Sequence, residues 1–294
     1  MIKTILVPVT GNGGDKSALD TAFLIGRLFE AHIECLHIRP TAEQMIMGVA
    51  STGLASGIDA EIVSQAFDAL KAADQSRAES VRDVVQSFCR ERPIVFATTP
   101  PRPRGVSFAL HKIKGDEIEQ TIQAGRYHDL IVLGRPHADA VSVGNLGAVL
   151  IGCGRPVILA PSPATENLAP TVAIAWKETP EAARAVTASM PLLAKADRIV
   201  VLTASEDGVK TDATLESAER LAGQLRWHDL SVEARHVAPG TRSLANAMTD
   251  TAREAGADLL IMGAYGHSRV RELILGGVTR EILKACPIPV LLFH

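Results

Sequence analysis

Apolar residues in this chain gather into short continuous runs, and the stretches between the runs carry apolar positions at helical spacing. The pattern occurs twice. The first half opens with KTILVPVTGNGGDKSALDTAFLIGRLFEAHIECLHI and the second with PTVAIAWKETPEAARAVTASMPLLAKADRIVVLTAS. Each reads as an apolar strand, a short loop, an amphipathic helix and a second apolar strand. The halves also close alike: HDLIVLG leads on to GCGRPVILAP, and ADLLIMG to KACPIPVLLFH. Between them PSPATENLAP, residues 161–170, is rich in proline and small polar residues, a linker by composition. The pattern predicts two copies of one unit, over residues 1–162 and 169–294.

In the second copy the runs place strands near 171–176, 197–203, 230–237, 258–263 and 289–293, and helices near 180–194, 211–228, 241–255 and 277–285. Runs such as ADLLIMG and IPVLLF lack polar alternation, as strands do when helices cover both faces of a parallel sheet. Thr179 before Pro180, and Ser243, mark helix starts. In the first copy Asp15 is a natural N-cap for the helix after TGNGGDKS, where Gly11, Gly13 and Gly14 make a flexible turn. Strand and helix alternating with right-handed crossovers make a doubly wound α/β layer fold. Such folds bind ligands at the carboxyl ends of strands where the strand order reverses, which singles out the loops after the first and fourth strands of each copy. Segment 40–58, small and Met-bearing, reads as a linker, with a lid or partner surface as the alternative.

Composition narrows the function. At 294 residues the chain has room for two ordinary domains, and 47% hydrophobic with 21% charged residues is a globular balance. A net charge of −3 and 4% aromatic residues supply neither the basic groove nor the stacking rings of a nucleic-acid binder. No apolar run nears the ~20 residues that span a bilayer, and MIKTILVPV lacks the features of a secretory signal, so the expected location is the cytoplasm. Cys35, Cys89, Cys153 and Cys286 are scattered without a CxxC pair and read as reduced, buried thiols. His32, Cys35 and His37 would point to both faces of a strand, so they read as the edge of a half-buried strand rather than a metal site.

Candidate chemistry concentrates near the C-terminus, in GAYGHSRVRELILGGVT, residues 263–279. Glycine costs about 1 kcal/mol in a helix interior, yet Gly263, Gly266, Gly276 and Gly277 cluster at one strand-to-helix junction. Gly263 ends a strand and is expected to turn sharply, and Gly266 would let backbone approach a ligand. The helix beginning over Gly276–Thr279 would present free N–H groups and its positive end to an anion. This arrangement resembles the G-x2-G-x9-G-(S/T) signature of the universal stress protein family, and phrases such as VAIAW…EAARAV and LGGVTREILKACPIPVLL extend the resemblance to a tandem of two such domains.

The resemblance implies two five-stranded parallel sheets of adenine nucleotide α-hydrolase type, strand order 3-2-1-4-5. It also implies a bound adenine nucleotide, ATP first, with or without Mg²⁺. By resemblance Gly263, Tyr265, Gly266, Gly276, Gly277, Val278 and Thr279 would hold ribose and phosphates, and main chain at Ala175 and Thr203 would meet the base. His267, Ser268 and Arg269 read either as exposed loop or as contacts to the outer phosphate. Gly277 stands at the (S/T) position, and Lys177 stands where nucleotide-binding members carry an aspartate. Trp176 could cover a base or pack the sheet end.

The first copy departs further. Its segment after DLIVLG is four residues short of its counterpart and lacks the second glycine, and Thr10 replaces the aspartate. GGDKS does not fit the Walker pattern. The first copy is therefore expected to be mainly structural, with a modified or empty site. No nucleophile elbow, HExxH or acidic pair suited to Mg²⁺ accompanies the motif, so catalysis beyond a slow ATPase is not indicated. The function expected is a nucleotide-binding stress protein acting through conformation or partner choice, in an internal pseudo-dimer that could pair again. The alternatives are an interaction scaffold without nucleotide and a slow ATPase.

Overall fold

The computed structural model describes residues 1–49, 60–100, 104–135, 140–165, 167–205, 211–264 and 277–294. The first half supplies strands β1 (Thr4–Val9), β2 (His32–Arg39), β3 (Val95–Phe96), β4 (Ser107–Lys114), β5 (Leu130–Gly134) and β6 (Val157–Ala160). Its helices are α1 (Asp15–Phe29), α2 (Ala42–Val49), α3 (Ala60–Arg90), α4 (Glu117–Gly125) and α5 (Ala140–Cys153). The second half supplies β7 (Thr171–Ala175), β8 (Arg198–Thr203), β9 (Val232–His236), β10 (Leu259–Gly263) and β11 (Val290–Phe293). Between these strands run α6 (Pro180–Leu193), α7 (Thr211–Arg226), α8 (Leu244–Glu254) and α9 (Gly277–Ala285).

All these strands join one sheet in the order β3-β4-β2-β1-β5-β6-β11-β10-β7-β8-β9. Numbered within each half, and setting aside the two-residue β3, both runs read 3-2-1-4-5 with every pair parallel. This is the doubly wound fold the alternation predicts. The halves meet edge to edge. β6 and β11 pair antiparallel, Val290 opposite Leu159 and Leu292 opposite Val157, so each covers the edge strand of the other.

Two apolar layers sandwich the sheet. On one face α1, α3, α6 and α7 bury Leu19, Val81, Phe88, Ala185, Leu192 and Ala222 against Ile5, Val7, Ile174 and Ile261. On the other, α5, α8 and α9 bury Leu150, Met248, Ile282 and Leu283 against Leu6, Ile131, Leu260 and Leu292. Strands buried on both faces explain why their sequences are continuously apolar.

Helix starts in the second half follow their caps: Thr179 Oγ1 accepts from Ala182 N at 3.3 Å, and Ser243 Oγ from Asn246 N at 3.3 Å. Asp15 does not cap α1. It is the helix's first residue, and its carboxylate turns back to accept from the Thr10 and Gly11 amides. The linker reading of segment 40–58 is also corrected in part, because residues 42–49 form α2, while 50–58 lie outside the described residues. β2 lies between β1 and β4 and is not an edge strand. The described residues of segment 161–170 carry no regular element, but Leu168 and Ala169 are buried in the core. No helix among the described residues is long and apolar enough to cross a membrane.

Candidate functional site

In the second half the strand order reverses beside β7, whose neighbours are β8 and β10. The carboxyl ends of β7 and β10 therefore flank the crevice where a doubly wound sheet takes its ligand. Ala175 closes β7, opposite Leu202 on one side and Met262 on the other. Past it, Trp176 N donates to the Leu202 carbonyl at 2.7 Å, and the Lys177 side chain is exposed. Thr203, at the end of β8, is buried, and its carbonyl accepts from Val237 N at 2.7 Å. A carbonyl oxygen has two lone pairs, so this bond leaves room for one more donor.

Trp176 is placed as a packing residue. Its ring lies against the core, and its indole N–H donates to Ser217 Oγ on α7 at 3.0 Å. Ser217 in turn donates to Glu178 at 2.8 Å, and Arg220 reaches the same carboxylate at 3.2 Å.

Gly263 differs from the sharp turn the sequence suggests, since its φ does not lie in the left-handed region. Its reason is close packing. A Cβ there would sit 2.6 Å from the Ala182 nitrogen and 2.7 Å from the Glu181 carbonyl carbon, in the first turn of α6. The first half repeats the device: a Cβ on Gly134, which ends β5, would lie 2.5 Å from the Gly14 carbonyl oxygen just ahead of α1. In each half the fourth strand thus ends in a glycine so that the start of the first helix can close over it.

The last helix starts where the motif places it. Gly277 begins α9. Gly277 and Val278 are exposed, Thr279 is buried, and among the described residues nothing lies within 4 Å of the point a Gly277 Cβ would occupy. The first-turn amides of a helix have no partner within the helix, so this end of α9 is where it can take an acceptor from outside. Tyr265, Gly266, His267 and Gly276, with Ser268 and Arg269, lie outside the described residues. The structure thus brings Ala175, Trp176, Lys177, Thr203 and Gly263 to the strand ends and sets Gly277, Val278 and Thr279 in the first turn of α9.

A polar group at the same carboxyl edge escaped the sequence reading. Ser205 Oγ donates to Thr211 Oγ1 at 3.0 Å and sits 3.0 Å from His236 Nε2. Its only signal is that Ser205 and His236 both fall at strand ends. Among the described residues no group of three or more His, Cys, Asp or Glu is arranged to hold a metal ion.

The corresponding corner of the first half is occupied by its own side chain. The Asp15 carboxylate accepts from Gly11 N at 2.7 Å, from Thr10 N at 3.0 Å and from Thr10 Oγ1 at 3.3 Å. Burial raises the Asp15 pKa, and these hydrogen bonds oppose the rise. The Thr10 and Gly11 amides, which could face an anion, are thus taken from within.

The universal stress protein family model matches residues 171–294, the whole of the second half. Residues 171–294 are a universal stress protein domain. A universal stress protein from Synechocystis is 54% identical over 37 residues, which is 13% of this chain and 13% of that protein. The crystal structure of a universal stress protein from Archaeoglobus fulgidus superposes with a TM-score of 0.66 at 17% identity, covering 99% of this chain and 98% of that one. A functionally unknown protein from Pseudomonas aeruginosa covers 99% and 92% at a TM-score of 0.55 and 14% identity. These two likenesses concern the fold alone, which they match across both halves.

Proposed function

We propose that this protein is a cytosolic tandem universal stress protein that binds an adenine nucleotide, ATP first, in its second domain. The base would lie over the ends of β7 and β8, against main chain at Ala175 and Thr203. The phosphates would lie against the first turn of α9 and the loop before it. Occupancy would then alter conformation or the choice of partner.

One observation supports the reading most. Gly277, at the start of α9, is exposed and its Cβ position meets nothing within 4 Å among the described residues, on the helix whose sequence carries the family's motif. The exposed Lys177 lies at the end of β7, where its ammonium could serve a phosphate as a point charge. If Mg²⁺ accompanies the nucleotide, phosphate oxygens and water would supply most of its ligands. Calorimetric titration with ATP, AMP and cyclic AMP tests the reading. Heat of binding with protection from unfolding is expected for at least one of them, and neither effect with any of the three would overturn it.

The second reading, a scaffold that binds no nucleotide, is favoured by two observations. Lys177 replaces the acidic residue of nucleotide-binding members, and Trp176 is tied to α7 rather than free to cover a base. Mass spectrometry of small molecules released from the purified protein separates the two. A third, slow hydrolysis of ATP, would show as phosphate release lost in Gly266→Val.

A further inference from the structure

The residue after β5 is Arg135, at the very position where the first half has lost the nucleotide loop. Among the described residues its side-chain hydrogen bonds go to the second half. Its guanidinium donates to the carbonyls of Lys284, at 3.4 Å, and of Cys286, both at the far end of α9 in the second half. We infer that Arg135 is a positioning residue: it holds the carboxyl end of α9 from across the junction and so keeps that helix's first turn in place for an anion. The consequence for binding rests on the nucleotide reading above; the hold on α9 does not.

The two halves differ where this inference needs them to. In the first half the helix before the last strand, α5, is held from within, because Arg126 donates to the Gly152 carbonyl at 3.2 Å. Matching HDLIVLG to ADLLIMG sets Ala255 opposite Arg126, and alanine has no group to offer α9. Arg135 supplies the missing donor. The residue at the matching place, after Gly263, is Ala264, which is buried and carries no donor to return the contact.

The physics favours such a clamp. A nine-residue helix is too short to be stable alone, so its order comes from contacts. The last carbonyls of a helix are its unsatisfied, negative end, and a guanidinium meets both needs with two donors. Burial costs the Arg135 cation, lowering its pKa, and its buried Nε finds no partner among the described residues. The side chain thus bears a penalty to stay where it is. An anion binds only the fraction of molecules in which α9 is formed, so loosening its far end weakens binding at its near end.

The test uses the full chain with Arg135→Ala, Arg135→Lys and, as a control, Arg126→Ala. In ligand-free protein, amides 281–285 should exchange about tenfold faster in Arg135→Ala. The ATP dissociation constant should rise about three- to tenfold. Lysine keeps the charge but reaches one carbonyl at a time, so Arg135→Lys should recover part of both; it also keeps the test alive should the alanine variant misfold. Arg126→Ala should leave α9 exchange and affinity unchanged. Unchanged α9 exchange in Arg135→Ala, faster exchange with unaltered affinity, or an equal effect of Arg126→Ala would each overturn the inference. If the unaltered protein binds no ATP, the nucleotide reading fails by itself, and α9 exchange alone decides for or against the clamp.

Discussion

Replacing Gly263 by alanine puts a carbon 2.6 Å from the Ala182 nitrogen, 2.7 Å from the Glu181 carbonyl carbon and 3.0 Å from Ala182 Cα. All three are backbone atoms in the first turn of α6, so no side chain can swing aside. Either α6 lifts from β10 or the strand end shifts. Overpacking costs about 1–3 kcal/mol, and a rigid neighbour puts this case near the upper figure. Gly277 is the internal control. Its Cβ would meet nothing within 4 Å, and alanine there gains helix propensity of up to about 1 kcal/mol. Urea unfolding followed by tryptophan fluorescence reads both, because the chain's two tryptophans, Trp176 and Trp227, lie in the second half. Gly263→Ala should lower the midpoint by about 1 M or more, and Gly277→Ala should hold or raise it. Gly263→Asn separates close packing from a tight turn. Asparagine tolerates the left-handed region, so a turn would accept it better than alanine, whereas close packing makes it at least as costly. A wild-type midpoint for Gly263→Ala, or an asparagine variant more stable than the alanine one, would refute the packing argument.

Three further outcomes are expected. Gly277→Asp should weaken ATP binding by about 2–4 kcal/mol through like-charge repulsion, yet leave stability unchanged or raised, since a carboxylate suits a helix start; calorimetry and melting read the opposite signs. Trp176→Phe removes the bond to Ser217 and should cost about 1 kcal/mol in the fluorescence-independent melt while leaving nucleotide affinity unaltered. Glu34→Gln should flatten the pH dependence of stability. In the unaltered protein the hydrogen bond from His128 lowers the Glu34 pKa. Burial pulls the His128 pKa down but is outweighed by the Glu34 bond, the Ala124 carbonyl and nearby charge, so it ends raised. The pair's contribution is therefore fullest between the ordinary values, 4.5 and 6.5. It is lost as acid titrates Glu34 below that window and as His128 deprotonates above it. Circular dichroism in urea at about pH 5.5 and about pH 8 should differ by about 1 kcal/mol less in the variant.

The second half was largely legible because its signals are local. Thr179 and Pro180 announce α6, Ser243 announces α8, and doubly buried strands write themselves as unbroken apolar runs. Most of what escaped depends on partners distant in sequence. The 31-residue α3 carries Val81, Val85 and Phe88 into the core, but Asp74 interrupts its apolar stripe. Asp74 is buried because Arg39, at the end of β2, bonds to it, and no local pattern reveals that pair. Gly263 looks like a turn from its neighbours, and only α6, some eighty residues earlier, explains it. Asp15 had the residue type and the place of a cap, but two amides behind it compete for the same carboxylate and win.

Joining the two halves in one chain has a physical consequence. In a symmetric homodimer, each change at the junction occurs twice, so an arginine that supports the partner's last helix must also appear in the copy whose own loop needs that position. Fusion lifts the constraint. Here the first half fills its Thr10 and Gly11 amides with Asp15 and commits the position after β5 to α9. The second half keeps a small residue, Ala264, at the matching place, and Gly277 at the start of α9 is exposed. The β6–β11 pairing sets the relative position of the halves, so the clamp and the helix it grips stay in register. On the nucleotide reading, the first half then completes the second half's site through Arg135. Separating the halves should then weaken nucleotide binding even if the second half folds by itself.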